Sequence, residues 1–225
     1  MTQTSYSRIA TALVCCTAYL LSGCSSLLAP AKSEPAAVYS FDIAQLKPIA
    51  APAPSSGAPT LLLSAPRAAP GFDGKQIAYV RQSHKLEYFR DSHWVDDPAT
   101  MLSPLIAAAL ERSGTFGAVV QAPTSALGQY RLDVELVRLQ QEFMSMPSNA
   151  RITLRAHLLD AKTHAVVAWR EFDSSVPSAG EDAYGGVVAA NLAVRIAIEE
   201  LAAFCSQAIA AQNKISPSSL GKDKK

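Results

Sequence analysis

The sequence predicts an α+β fold: a largely antiparallel sheet with about two substantial helices packed on one face, including a long C-terminal helix. Three observations carry this expectation. In Tyr130-Arg131-Leu132-Asp133-Val134-Glu135-Leu136 apolar and charged residues alternate, and Ile152, Leu154, Ala156 and Leu158 repeat the alternation, as strands with one face on a core do. Met101, Leu102, Leu105, Ile106, Ala109 and Leu110 recur at three- and four-residue spacing, which places them on one face of a helix. The same spacing then runs through residues 181–210, where Tyr184, Val187, Val188, Asn191, Val194, Ile198, Leu201 and Cys205 form a stripe. Strands and helices segregated in this way define a sheet covered on one side.

From the N-terminus, residues 1–8 are polar with one cation, Arg8, and residues 9–21 are apolar. That run falls short of the roughly 20 residues a spanning helix needs, so it reads as a removable segment. It closes on Leu21-Ser22-Gly23-Cys24, which resembles the bacterial lipobox. The resemblance implies a lipoprotein signal peptide at 1–23, cleavage between Gly23 and Cys24, diacylglycerol on the Cys24 thiol and acylation of the new N-terminus. Several acyl chains together give stable anchoring where one is marginal. Residues 24–38 carry prolines at 30 and 35 and few charges and read as a flexible tether.

Residues 39–210 are expected to form a single domain. Tyr39-Ser40-Phe41-Asp42-Ile43 alternates as a first strand; 48–59, with Ala-Pro-Ala-Pro and Ser-Ser-Gly, is a loop; 60–63 is a short buried strand. Residues 74–81 and 85–90 make two strands with a tight connection. Asp97-Pro98 starts the first helix, with Pro98 at its first position, and Gly114 stops it; 116–120 leads into the next strand. After Leu136 the parity flips to Val137 and Leu139, which predicts a bulge. Strand 151–158 turns at 160–163 into 165–172, completing a meander. The last helix carries Arg195 and Glu199 one turn apart, outside its apolar stripe. Residues 211–225 read as a disordered tail.

Composition excludes some functions. Lys plus Arg is 20 against 19 for Asp plus Glu, and loss of Arg8 with the signal balances the mature side chains, so nucleic acid is not an expected partner. Cys15 and Cys16 leave with the signal and Cys24 is committed to lipid, which leaves Cys205 alone and no intramolecular disulfide. Low charge and high alanine content favour a protein built to contact something.

The chemistry-bearing residues do not form a recognisable catalytic set. There is no Gly-x-Ser-x-Gly, Gly-rich phosphate loop, Cys-x-x-Cys or His-Glu-x-x-His. His84 and His93 flank the Tyr88 hairpin but have no acid or cysteine at ligand spacing, and His157 sits on the polar face of its strand, so no metal or cofactor is expected. Asp96-Asp97 and Glu181-Asp182 lie where helices begin, and capping explains them. Cys205, on the apolar stripe, reads as a buried inert thiol. Tyr79, Tyr88, Phe89 and Trp94 read either as packing under the hairpin or as a contact surface for a protein or lipid, with Tyr79, Tyr88 and Trp94 the candidates.

The lipobox, the Tyr39-x-Phe41 strand, the Ile77-x-Tyr79 block, Tyr88 and Trp94 before Pro98, the amphipathic helix to Leu110, the meander and the long last helix together resemble the auxiliary lipoproteins of ABC-type transport systems, among them the PqiC-like lipoproteins. The resemblance implies a non-enzymatic accessory or docking subunit working with an MCE-domain protein and, through it, an inner-membrane permease and ATPase in moving phospholipids between membranes. It brings no catalytic residues; Cys24 is the one position carried over. Ser25 after Cys24 favours the outer membrane, with the domain facing the periplasm, and the resemblance makes a homo-oligomer plausible. The competing reading is a structural or assembly lipoprotein of another outer-membrane machine, such as lipopolysaccharide insertion. An envelope hydrolase is the third, with His84, His93, Asp96 and Asp97 as its residues.

Overall fold

The computed structural model describes residues 35–42 and 57–215. Gly23, Cys24, the body of the tether and residues 216–225 lie outside the described residues. The elements in chain order are β1 (Ala37–Tyr39), β2 (Thr60–Leu63), β3 (Arg67–Ala68), β4 (Gln76–Gln82), β5 (Lys85–Trp94), α1 (Pro98–Arg112), β6 (Ala118–Gln121), β7 (Tyr130–Glu142), β8 (Asn149–Asp160), β9 (Val166–Pro177) and α2 (Ala183–Ile215).

Among the described residues strand β7 is the spine of a nine-stranded sheet. Along one edge it pairs antiparallel with β8 over its whole length, and β8 carries β9 in the same sense. Along the other edge three short strands dock in succession and in parallel: β2 at Tyr130, β3 at Glu135 and β4 at Gln140. Strand β6 then adds to β2, β5 closes an antiparallel hairpin with β4, and β1 adds in parallel to β5. The long ladders are antiparallel, as the alternation predicts. The parallel pairings and β3 were not legible, because paired stretches of two to four residues carry too little period to show direction. The expected bulge is present: Leu136 pairs with Leu154 and Arg138 with Thr153, leaving Val137 over.

Both helices cover the same face. Leu102, Ile106 and Leu110 of α1 and Val187, Val194, Ile198, Leu201 and Cys205 of α2 bury against Leu132, Leu136, Ile152, Leu154, Leu158 and Phe172. Ala190, Ala193 and Ala197 on the buried side keep α2 close to the sheet. The helix runs antiparallel to β7, from Gly186 over Gln141 to Ile209 near Tyr130. A Cβ on Gly186 would lie 2.1 Å from Gln141 Oε1, and one on Gly185 2.3 Å from the Gly180 carbonyl oxygen, so both glycines are required by close approach.

Helix boundaries follow local chemistry. Asp97 caps α1 by accepting from the Ala99 N–H at 2.8 Å, with Pro98 in the first turn. Gly114, at φ 65°, takes the left-handed position after it. Asp182 accepts from the Gly185 N–H at 2.7 Å and starts α2. Strands β5 and β9 run on past their expected ends, to Trp94 and Pro177, and two further boundaries differ for local reasons. Helix α2 continues to Ile215, into the expected tail, because 210–214 contains only helix-compatible residues and Lys214 sits favourably in the last turn. Strand β1, expected over 39–43, begins at Ala37 within the expected tether and ends at Tyr39, because Asp42 donates its N–H to Asn191 Oδ1 at 2.7 Å and the chain leaves the sheet toward α2; Ile43 lies outside the described residues. Among the described residues no helix is long and apolar enough to cross a membrane.

Candidate interaction surface

The three aromatics expected to share a contact surface are separated. Trp94 is core, with 3% of its surface exposed and its ring 5.0 Å from Phe41. Its backbone N–H donates to Lys75 O at 2.7 Å while Tyr39 pairs beside it, so the end of β5 is closed in by β1. Tyr79 is half-buried, 4.6 Å from Phe89 and 5.9 Å from Phe143, with the Arg81 guanidinium 4.9 Å over its ring. Tyr88 is 38% exposed and donates its hydroxyl to Gly71 O at 3.0 Å. Because Tyr88 pairs with Ala78 and Tyr79 with Glu87, the two tyrosines point to opposite faces.

The polar candidates resolve as local structure. His84 occupies the β4–β5 turn with φ 67°, while His93 pairs with Gln76 at the far end of β5, so they do not meet. Among the described residues no three His, Cys, Asp or Glu side chains converge as a metal set would. His157 stacks on Trp169 at 6.2 Å. Glu181 accepts from the Ser148 N–H at 2.8 Å, and Asp96 accepts from the Asp97 N–H at 2.9 Å and lies 3.6 Å from Lys75. These acids secure the starts of the helices. Burial pushes the Cys205 thiol up to about 12, which keeps it protonated and inert.

The sheet face away from the helices is a charge ladder. Glu135, Arg155 and Glu171 lie in register across β7, β8 and β9, with Arg155 3.1 Å from Glu135 and 2.9 Å from Glu171. Arg151 Nε donates to Asp173 Oδ1 at 3.0 Å, and that bond, joined by one from Thr153, holds the Asp173 carboxyl below the usual carboxylate range. Internal pairing leaves this face well solvated and nearly neutral.

Two exposed apolar groups stand apart from it. On α2, Tyr184 (64% exposed) and Val188 lie on the outer side, contrary to their expected place in the buried stripe, with Tyr184 6.4 Å from Tyr39 of edge strand β1. Spacing alone spreads the stripe too wide; Ala189, Ala190, Ala193 and Ala197 take the buried positions instead. The second group, Met144 and Met146 beside half-buried Phe143, projects from the β7–β8 loop and was missed by sequence reasoning. Its signal was Phe143-Met144-Ser145-Met146, an apolar cluster outside any strand period. Two clefts under α2 are small. One, at Asp42, Leu105, Arg112, Asn191, Arg195 and Glu199, holds about 20 Å³; the other, at Trp94, Leu139 and Val187, about 10 Å³. Neither admits an acyl chain.

Fold and surface together define the class: an α+β domain with two helices on one sheet face, helix-capping acids and exposed apolar groups at its ends. The chain belongs to the family of ABC-type transport auxiliary lipoprotein components, whose model matches residues 39–204. Its fold is similar to that of protein XCC0632 from Xanthomonas campestris, at 23% identity and a TM-score of 0.68, over 80% of this chain and 99% of that one. An uncharacterized protein of known structure is similar at 12% identity and a TM-score of 0.60, over 76% of this chain and 99% of that one. The comparison with curated proteins returned no match.

Proposed function

We propose that this chain is a non-enzymatic lipoprotein, anchored through Cys24 in the outer membrane and facing the periplasm, that serves as an accessory or docking subunit of an ABC/MCE-type phospholipid transport system. The observation that carries the reading is the family match over residues 39–204, which begins just after a lipobox and tether and spans nearly the whole folded domain. Its partner is an MCE-domain protein and, through it, a permease and an ATPase that supply the energy. The exposed turn of α2 at Tyr184 and Val188, with edge strand β1, is the surface offered to that partner. It lies where the tether joins the domain.

Self-association belongs to the same reading. Among the described residues strand β9 pairs only with β8, which leaves a twelve-residue edge with Val166 and Trp169 exposed for a second copy. Light scattering of the purified chain should then give a mass above one protomer. The test of function is mild crosslinking in cells followed by purification: an MCE-domain protein should be recovered, and Cys24→Ala should disturb outer-membrane lipid balance. Recovery of lipopolysaccharide-insertion components in its place would favour the assembly-lipoprotein reading.

A further inference from the structure

At the end of the sheet away from Trp94 two connections meet. The β4–β5 hairpin turns at Ser83 and His84, and the β7–β8 connection occupies residues 143–148. They are tied together, since the Phe143 N–H donates to Val80 O at 2.8 Å and Ser83 Oγ lies 3.9 Å from Met144 Sδ. The base of the second loop is fixed as well: Ser148 is fully buried, donates its N–H to Glu181 Oε1 at 2.8 Å and accepts from Gln141 Nε2 at 3.0 Å. This fixed base holds two thioethers in water, with Met144 56% and Met146 86% exposed.

The exposed charges around this crown are mostly cationic. Arg81 lies over the rings of Tyr79 and Phe143, at 4.9 and 5.7 Å, with no carboxylate at ion-pair distance among the described residues. Lys85, which pairs with Gln82 across the hairpin turn, is exposed and 3.3 Å from Glu87. Glu142, the carboxylate next to the loop, is held between Arg138 and Arg151. Shape then separates the occupants. A protein covering Met144 and Met146 would need a matching concavity, whereas a bilayer interface accepts a projecting apolar tip of any outline, with cations at its phosphates.

We propose that this tip is a membrane-contact site: Met144 and Met146 enter the acyl boundary of a phospholipid leaflet while Arg81 and Lys85 meet anionic headgroups. The proposal rests on the lipid-anchor reading for delivery to a membrane. Residues 24–36, extended, would reach about 40 Å. That exceeds the roughly 25 Å along β5 between the tip and β1, so an anchored molecule can lay its tip on the leaflet that holds it.

The test uses the mature chain purified from the envelope, carrying Met146→Cys labelled with an environment-sensitive fluorophore; buried Cys205 does not compete for label. Vesicles with brominated acyl chains are made either from phosphatidylethanolamine with phosphatidylglycerol or from phosphatidylcholine alone. The fluorophore should be quenched in the phosphatidylglycerol vesicles, with vesicle binding about fivefold weaker for Arg81→Gln and quenching lost for Met144→Asp. A fluorophore at Leu127→Cys, on a residue 94% exposed in another loop, should stay unquenched. Absence of quenching at position 146 in both vesicle types overturns the proposal and leaves the crown to a protein partner. Equal quenching at position 127 also overturns it, because anchoring alone would produce that. The mass of the N-terminal peptide from the same preparation reports acylation of Cys24, so failure of the anchor is read separately from failure of the tip.

Discussion

The two ends of the β4–β5 hairpin carry similar aromatic residues and put them to different uses. At the β1 end Trp94 and Phe41 pack as core beneath the first turns of α2. At the turn end Tyr79, Phe89 and Phe143 make a cluster of the same kind, yet stay half-buried. What separates them is the reach of one helix. α2 begins over Gln141, so Phe143, two residues on and just past the end of β7, lies beyond the start of the helix. An aromatic residue here is core or surface according to where α2 starts, not according to its own strand.

The largest expected effect breaks the comparison at its buried end. Trp94→Ala should cost about 3–5 kcal/mol in urea unfolding, while Phe143→Ala, half-buried, should cost about half as much. Equal losses would show that the turn end is core as well. Next, Gly186→Val drives a side chain into Gln141 and should cost about 1–3 kcal/mol, with Tyr79 and Trp94 both reporting the displaced helix start through near-ultraviolet circular dichroism. Asp97→Ala removes the cap of α1 and should cost about 1 kcal/mol without moving either aromatic cluster.

The smallest effect lies on the charge ladder, away from both ends. Hydrogen bonds from Arg151 hold the Asp173 carboxyl low, so its contribution is present above the unfolded carboxylate pKa and is lost as pH falls through the folded value. The pair is partly exposed, so Asp173→Asn should cost under about 1 kcal/mol at pH 7. The gap to the parent chain should narrow as pH falls below the ordinary carboxylate value of about 3.9 and close below the lowered folded value. A gap that persisted at low pH would assign the effect to packing instead of charge.

Much of this fold was legible because its long strands bury one face. The alternation from Tyr130 to Leu136 and from Ile152 to Leu158, the bulge at Val137 and the Asp97-Pro98 start each impose a local pattern that tertiary structure retains. The contact surface was not legible in the same way. Tyr79, Tyr88 and Trp94 lie on neighbouring strands, but which faces they take depends on a register shift between Ala78 and Gln76 that leaves extra β5 residues between Tyr88 and His93. Tyr184 and Val188 fit the helical period yet face outward, since the alanines around them allow α2 to settle by a narrower side. Met144 and Met146 sit in a loop, where no period exists to assign them.

In the proposed role this domain meets a transport partner through the exposed side of α2. Replacing Tyr184 with a photo-crosslinking residue in cells and identifying the adduct tests it most directly, with Leu127 as the control position. An adduct between position 184 and an MCE-domain protein is expected, and none from position 127. An adduct with another envelope machine, or no adduct in cells that contain the MCE-domain protein, would contradict it.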